Sequence, residues 1–235
     1  TKIELKSYQN KVMSDLTDYL RCVNETADLF KAWEKYWANK DKKVGSLGVP
    51  SYKNRIANVP YICTKVPTGG GKTFMGCSAL KRIFNYFPSD KIKLVVWLVP
   101  SDSILTQTIN SLSNPEHPYR RSLDKDFAGR VEVCTKEMLL SGQNFTPDTV
   151  REMLSICVLS YASLRIDSKK KDVRKVFQEN GNLMRFAECF GQRSLREQLP
   201  QSQSDSFPTL WGSICMTSPF KKDGNYFDNY YIIFL

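Results

Sequence analysis

Val66-Pro67-Thr68-Gly69-Gly70-Gly71-Lys72-Thr73 decides the fold, because three consecutive glycines ending in Lys-Thr lie between an apolar run and a helical pattern. A chain that must cradle phosphate oxygens needs this composition. Glycines let the backbone turn sharply and bring its N–H groups close to an anion, and the helix that follows adds partial positive charge at its N-terminus. In such a loop Pro67, Thr68, Gly69, Gly70 and Gly71 line the phosphates, Lys72 reaches the β and γ phosphates, and the Thr73 hydroxyl is offered to Mg²⁺. The general pattern has glycine at its first position, where this chain has Val66. The alternative, a glycine-rich turn ahead of an ordinary helix, leaves the Gly-Lys-Thr at a strand-to-helix junction unexplained.

On either side of the loop the pattern alternates between strand and helix. Tyr61 to Val66 is a short apolar run, Lys72 to Tyr86 is helical, Leu94 to Val99 is continuous and β-rich, and Asp102 to Leu112 is helical again. Arg130 to Thr135 fits a strand, Pro147 to Leu154 a helix opened by its proline, and Ser155 to Tyr161 a buried strand. This order, together with the glycine loop, predicts an α/β fold of the P-loop NTPase, RecA-like kind: a parallel sheet between two helical layers, expected to be an incomplete lobe. Apolar positions from Leu5 to Trp33, interrupted around Asn24 and Glu25, predict one or two amphipathic helices in front of it, and Asn39 to Pro60 reads as a long connecting loop. The divisions expected are 1–59 for the helical segment and loop, 60–190 for a partial nucleotide-binding lobe, and 191–235 for a divergent or disordered tail. The last apolar run, Tyr230 to Leu235, is either a strand of an incomplete sheet or an aggregation-prone end.

The block Val59 to Lys65 running into Val66 to Thr73 resembles motif I of superfamily-2 helicases, and particularly of the restriction subunits of type III restriction enzymes. Leu5-Lys6-Ser7-Tyr8-Gln9 is similar to the family's opening motif, whose glutamine reads adenine; a carboxamide can both donate to and accept from the edge of that base. By itself Gln9 would default to a solvent-facing helix residue. Val95 to Ser101 followed by Ile104 to Thr108 resembles motif Ia, which implies DNA contacts from Ser101, Ser103 and Gln107 near the helix start. Cys157 to Leu164 and Asn180 to Phe190 continue the likeness, which covers residues 3 to 190. It implies ATP and Mg²⁺ as ligands, double-stranded DNA as a partner, helicase and endonuclease activity of the whole assembly, and a modification methyltransferase subunit that carries site recognition.

Such motors also need an acidic strand end to hold Mg²⁺ and position the attacking water. No Asp-Glu pair follows an apolar strand in these 235 residues, and the neighbours of His117 (Pro115, Glu116, Pro118) read as a loop with the histidine at the surface. The expectation is therefore a truncated or frame-disrupted lobe that binds nucleotide weakly and does not hydrolyse it efficiently; a missing arginine finger alone is worth about 10³ to 10⁵ in rate. Two other readings compete. A small-molecule P-loop kinase would need an arginine-rich lid that the sequence lacks, and a non-catalytic nucleotide- or DNA-binding module would use the lobe as a scaffold.

Composition bounds these readings. There are 34 Lys and Arg against 24 Asp and Glu, a formal charge of +10, which either favours a polyanion or is scattered solubility charge. The densest basic run, Lys169-Lys170-Lys171 with Arg174-Lys175, reads as a solvated loop in preference to a DNA contact. Seven dispersed cysteines, without a C-x-x-C pair, predict reduced and buried thiols and no zinc site. No apolar run reaches the roughly 18 residues of a membrane span, so a soluble, cytoplasmic protein is expected. The chain starts at Thr1 and not at methionine, which leaves open where translation begins.

Overall fold

The computed structural model describes residues 3–53, 60–86 and 93–160, together with strands 212–217, 221–222, 225–226 and 230–234. Two helices come first, α1 (Ser7–Thr26) and α2 (Leu29–Ala38). The break falls at Ala27 and Asp28, slightly beyond the interruption expected from sequence. Ala27 closes α1 in the left-handed region with φ 52°, and the Asp28 carboxylate opens α2 by accepting from the Lys31 N–H at 2.9 Å. Thr26 keeps α1 helical past Asn24, its hydroxyl donating to the Cys22 carbonyl at 2.8 Å.

Helical periodicity gives α1 two working faces. Met13, Leu16 and Leu20 join the main core, while Tyr19 and Cys22 pack with Leu29, Ala32, Tyr36 and Tyr52 in a second, aromatic cluster. Part of the following loop is tied to that cluster: Tyr52 is buried in it, and the Trp33 indole N–H donates to the Pro50 carbonyl at 2.9 Å.

The alternating part then runs β1 (Tyr61–Lys65), α3 (Lys72–Phe84), β2 (Lys93–Val99), α4 (Asp102–Ser113), α5 (Pro118–Asp126), β3 (Val131–Cys134), α6 (Lys136–Ser141), α7 (Pro147–Glu152) and β4 (Leu154–Ser160). Helix α5 is short and polar and α6 is only six residues long, so periodicity reveals neither. The region read as a loop around His117 is in fact the start of α5: His117 is the N-cap, its Nδ1 accepting from the Tyr119 N–H at 3.2 Å, with Pro118 in the first turn. His117 is half-buried, its ring edge-on to Tyr119 at 4.6 Å between centroids.

Six strands form one sheet in the order β1-β5-β8-β2-β4-β3, where β5 is Gly212–Thr217 and β8 is Tyr230–Phe234. Neighbours β1 and β5, β2 and β4, and β4 and β3 are parallel, as the βαβ order requires. Strand β8 departs from that rule, lying antiparallel to both β5 and β2. Two short strands, β6 (Lys221–Lys222) and β7 (Asn225–Tyr226), make a separate antiparallel pair.

The stretch read as a divergent or disordered tail thus contributes two strands to the sheet. Of the alternatives left open for the final apolar run, the strand is the one adopted, because backbone groups between β5 and β2 need partners. The basic run at 169–175, Asn180 to Phe190 and the Gln- and Ser-rich stretch lie outside the described residues.

Every residue of β4 is buried, so both sheet faces are covered at that strand. Trp97, Val95 and Val99 of β2 meet Ile156 and Val158 in the main core, each fully buried aliphatic side chain contributing about 1.5–3 kcal/mol. Cys22, Cys77, Cys134 and Cys157 are buried thiols, as expected. Cys63 is exposed instead, because β1 is a terminal strand of the sheet.

Candidate functional site

The loop Val66 to Gly71 leaves the C-terminal end of β1 and enters α3. Val66 is buried, Pro67, Thr68 and Gly69 are exposed, and Gly70 is buried. Gly69 and Gly71 have φ of 72° and 77°, a region that costs an L-residue about 1–2 kcal/mol. Gly70 is required for space: a Cβ there would lie 2.7 Å from Val66 Cγ1 and 2.8 Å from the Pro67 carbonyl oxygen.

Each peptide of the glycine run has a defined partner. The Gly70 N–H donates to the Pro67 carbonyl at 2.9 Å, a turn closed within the loop. The Gly71 carbonyl accepts from the Met75 N–H at 2.9 Å and so belongs to α3. Between them, the Gly70 carbonyl is held from outside, by the Tyr8 hydroxyl at 2.7 Å and the Gln9 carboxamide nitrogen at 2.8 Å.

Helix α3 starts without a side-chain cap and without an acidic residue in its first turn. First-turn amides have no acceptor within a helix, so this end can meet an anion at little electrostatic cost. Lys72 is buried, and its Nζ donates to the Pro67 carbonyl at 3.2 Å, which places the ammonium over the loop. Thr73, half-buried in the same turn, brings a hydroxyl oxygen, a hard donor of the type Mg²⁺ accepts. Behind the turn, Phe74 stacks on Tyr119 with ring centroids 5.6 Å apart, a contact that anchors α3 to α5.

Gln9 is not the solvent-facing residue of the default reading. It is 5% exposed, and its carboxamide orientation is set by chemistry: Oε1 accepts from the Lys6 N–H at 2.8 Å while Nε2 faces a carbonyl. It thereby closes the start of α1 from its third helical position and touches the glycine loop at once. In the sequence Tyr8 counts only as part of the Tyr-Gln pair of the opening motif, with no role for its hydroxyl.

Strands β1 and β2 run in the same direction, since β8 is antiparallel to β2 and to β5, and β5 is parallel to β1. The loop after β1 and the turn after β2 therefore open at the same edge of the sheet. They are three strand spacings apart, about 14 Å at ~4.8 Å per step. Ser101 ends this second turn, Ser103 and Gln107 lie in the first two turns of α4, and all three are exposed, apart from the glycine loop. The end of α4 differs from that of α3: the Ser101 hydroxyl caps it by accepting from the Ile104 N–H at 3.4 Å, and Asp102 adds a carboxylate to the first turn. Ser101 and Ser103 hydroxyls lie 3.1 Å apart.

Compared with known proteins, the chain matches over residues 2–189 the family model described as type III restriction enzyme, res subunit. No curated protein and no solved structure matches it.

Proposed function

We propose, from the premise that this chain belongs to the type III restriction enzyme res subunit family, that it is the ATP-binding motor lobe of a DNA-translocating restriction subunit. Membership makes it an ATP-dependent, helicase-like module of a restriction system. The observation that carries the finer reading is the loop itself: two glycines in left-handed geometry, a third in close contact, and an uncapped helix start with Lys72 over it. In this reading the amides of Gly69, Gly71, Lys72 and Thr73 receive the phosphate oxygens, while the Gly70 N–H stays in the turn to Pro67, with Pro67 and Thr68 at the loop's outer rim. Lys72 exchanges the Pro67 carbonyl for the β and γ phosphates. Mg²⁺, held by the Thr73 hydroxyl and the nucleotide, would neutralise charge that builds up on the phosphates. Gln9 retains one N–H and one lone pair beyond its present bonds, enough to read the adenine edge.

Double-stranded DNA is the proposed partner at the same sheet edge, with Ser101, Ser103 and Gln107 touching its phosphates. Their exposure supports this, and the formal charge of +10 favours a polyanion. Asp102 opposes it locally, so the contact is expected to be hydroxyl and amide hydrogen bonding more than charge pairing. A methyltransferase subunit supplying site recognition and a cytoplasmic setting complete the proposal; among the described residues no helix is long and apolar enough to cross a membrane.

A non-catalytic nucleotide- or DNA-binding module is the second reading, in which the same glycine loop and exposed turn after β2 bind ligand without turnover. The test is binding of a fluorescent ATP analogue with Mg²⁺ to the chain and to Lys72→Ala, with turnover followed with and without duplex DNA. Binding lost in the variant supports the nucleotide-binding motor lobe. DNA-stimulated turnover overturns the non-catalytic reading, and equal binding in both forms overturns the nucleotide site. DNA binding that ignores both ATP and Lys72→Ala supports the second reading.

A further inference from the structure

We infer that Tyr8 is a positioning residue of the glycine loop: its hydroxyl, with the Gln9 carboxamide, holds the Gly70 carbonyl toward α1 and so presents the Gly71 amide to a bound polyphosphate. This rests on the nucleotide-binding reading above. Three consecutive glycines give their peptide planes almost no intrinsic orientation, so each plane must be set by a partner. Two are set locally, one by the turn from Gly70 to Pro67 and one by α3 through Met75. The Gly70–Gly71 peptide is held by a different element, through donors 62 and 61 residues away.

In a trans peptide the carbonyl and the following N–H point in opposite directions, and no cis peptide occurs in the described residues. Fixing the Gly70 oxygen against α1 therefore turns the Gly71 N–H away from α1. Were the carbonyl to rotate the other way, it would present a partial negative charge to the phosphates in place of a donor. Two donors on one oxygen hold the plane better than one, because loss of either leaves the plane a wider arc. Tyr8 is 41% exposed, so its ring adds little to the core, and the anchoring of α1 comes from Met13, Leu16 and Leu20. Its hydroxyl is directed at the loop nonetheless.

The experiment is calorimetric titration of the full chain, Tyr8→Phe and Lys72→Ala with Mg-ATP and, separately, with inorganic tripolyphosphate, with Tm measured on each. Tyr8→Phe is expected to bind both ligands about tenfold more weakly, by the same factor, with an unchanged Tm. Equal affinity of Tyr8→Phe and the unaltered chain for both ligands would overturn the proposal. So would weakening for ATP alone, which would assign the hydroxyl to the base, or a fall in Tm that accounts for the loss, which would assign it to folding. Failure of the unaltered chain to bind either ligand, or indifference to Lys72→Ala, overturns the nucleotide site itself and is distinguishable from all of these.

Discussion

The carboxamide nitrogen of Gln9 donates to the carbonyl oxygen of Gly70 at 2.8 Å, joining the first turn of α1 to the middle of the glycine loop across 61 residues. The same side chain accepts from the Lys6 N–H at 2.8 Å. One buried amide thus serves helix start and loop together, and its loss should be felt by both.

Gln9→Leu removes both bonds while keeping apolar bulk. It should destabilise the chain by about 1–2 kcal/mol and erase any preference for adenine over guanine nucleotides. Urea unfolding and competition between ATP and GTP read the two effects; stability loss with an intact ATP preference would remove Gln9 from base recognition.

The three glycines should rank by mechanism. Gly69→Ala meets open space and pays only for its φ of 72°, about 1–2 kcal/mol. Gly71→Ala adds to a similar φ a Cβ 2.7 Å from the Gln9 amide nitrogen, so it should cost more and displace Gln9. Gly70→Ala strikes Val66 and the Pro67 carbonyl and should shift the loop. Denaturation midpoints that place Gly69→Ala as the most damaging of the three would contradict this loop geometry.

After β2, the structural role and the proposed DNA contact fall on different residues. Ser101→Ala deletes a helix cap and should cost about 1 kcal/mol, whereas exposed Ser103→Ala and Gln107→Ala should leave stability within about 0.5 kcal/mol. The paired variant Ser103→Ala with Gln107→Ala should weaken duplex binding to a similar degree for unrelated sequences, as phosphate contacts do. A sequence-selective loss in binding titrations would point to base contact instead.

Acid should weaken the packing of α1 on α2. Burial raises the Asp15 carboxyl, but hydrogen bonds and charge from Lys40 and Lys11 outweigh it and hold the group below its ordinary 3.8. A depressed folded value means that the stabilisation is present above the unfolded value and is lost as pH falls through the folded one. Lys40 lies 2.6 Å from Asp15, so Lys40→Met should remove about 0.2–1 kcal/mol near neutrality and flatten the loss of stability below about pH 4. Parallel acid titrations of Tm in the two proteins would show it, and curves of identical shape would refute it.

Thiol reactivity should follow burial. Burial pushes the Cys77 thiol up to about 12 and raises Cys157, where a hydrogen bond with Cys134 acts first and burial second. Cys63 is exposed on the terminal strand. Cys63→Ser should therefore abolish one fast-reacting thiol in a disulfide-exchange assay of the native chain, and Cys77→Ser none; the reverse would mean that β1 is covered.

Much of the candidate site was legible because its signals are local. A strand, a glycine run and a helix start within Tyr61 to Phe84 carry their geometry in consecutive residues, and the apolar runs of β2 and β4 declare burial on both faces. Helices α5 and α6 escaped because their turns are too few for periodicity and their stability comes from caps at His117 and Thr135. The slots of β5 and β8 escaped for another reason: an apolar run states that it will pair, not with which strand or in which direction.

By itself the sequence determined that a glycine loop joins β1 to a helix, which residues form it, and that parallel strands flank it, since these depend on neighbours in the chain. Only the tertiary structure decided that the Gly70 carbonyl is held by Tyr8 and Gln9, that Cys63 faces outward, and that the turns after β1 and β2 share one edge. A hydrogen bond spanning some sixty residues leaves no periodicity and no local composition to read, because it exists only once α1 has packed against the helix that the loop begins.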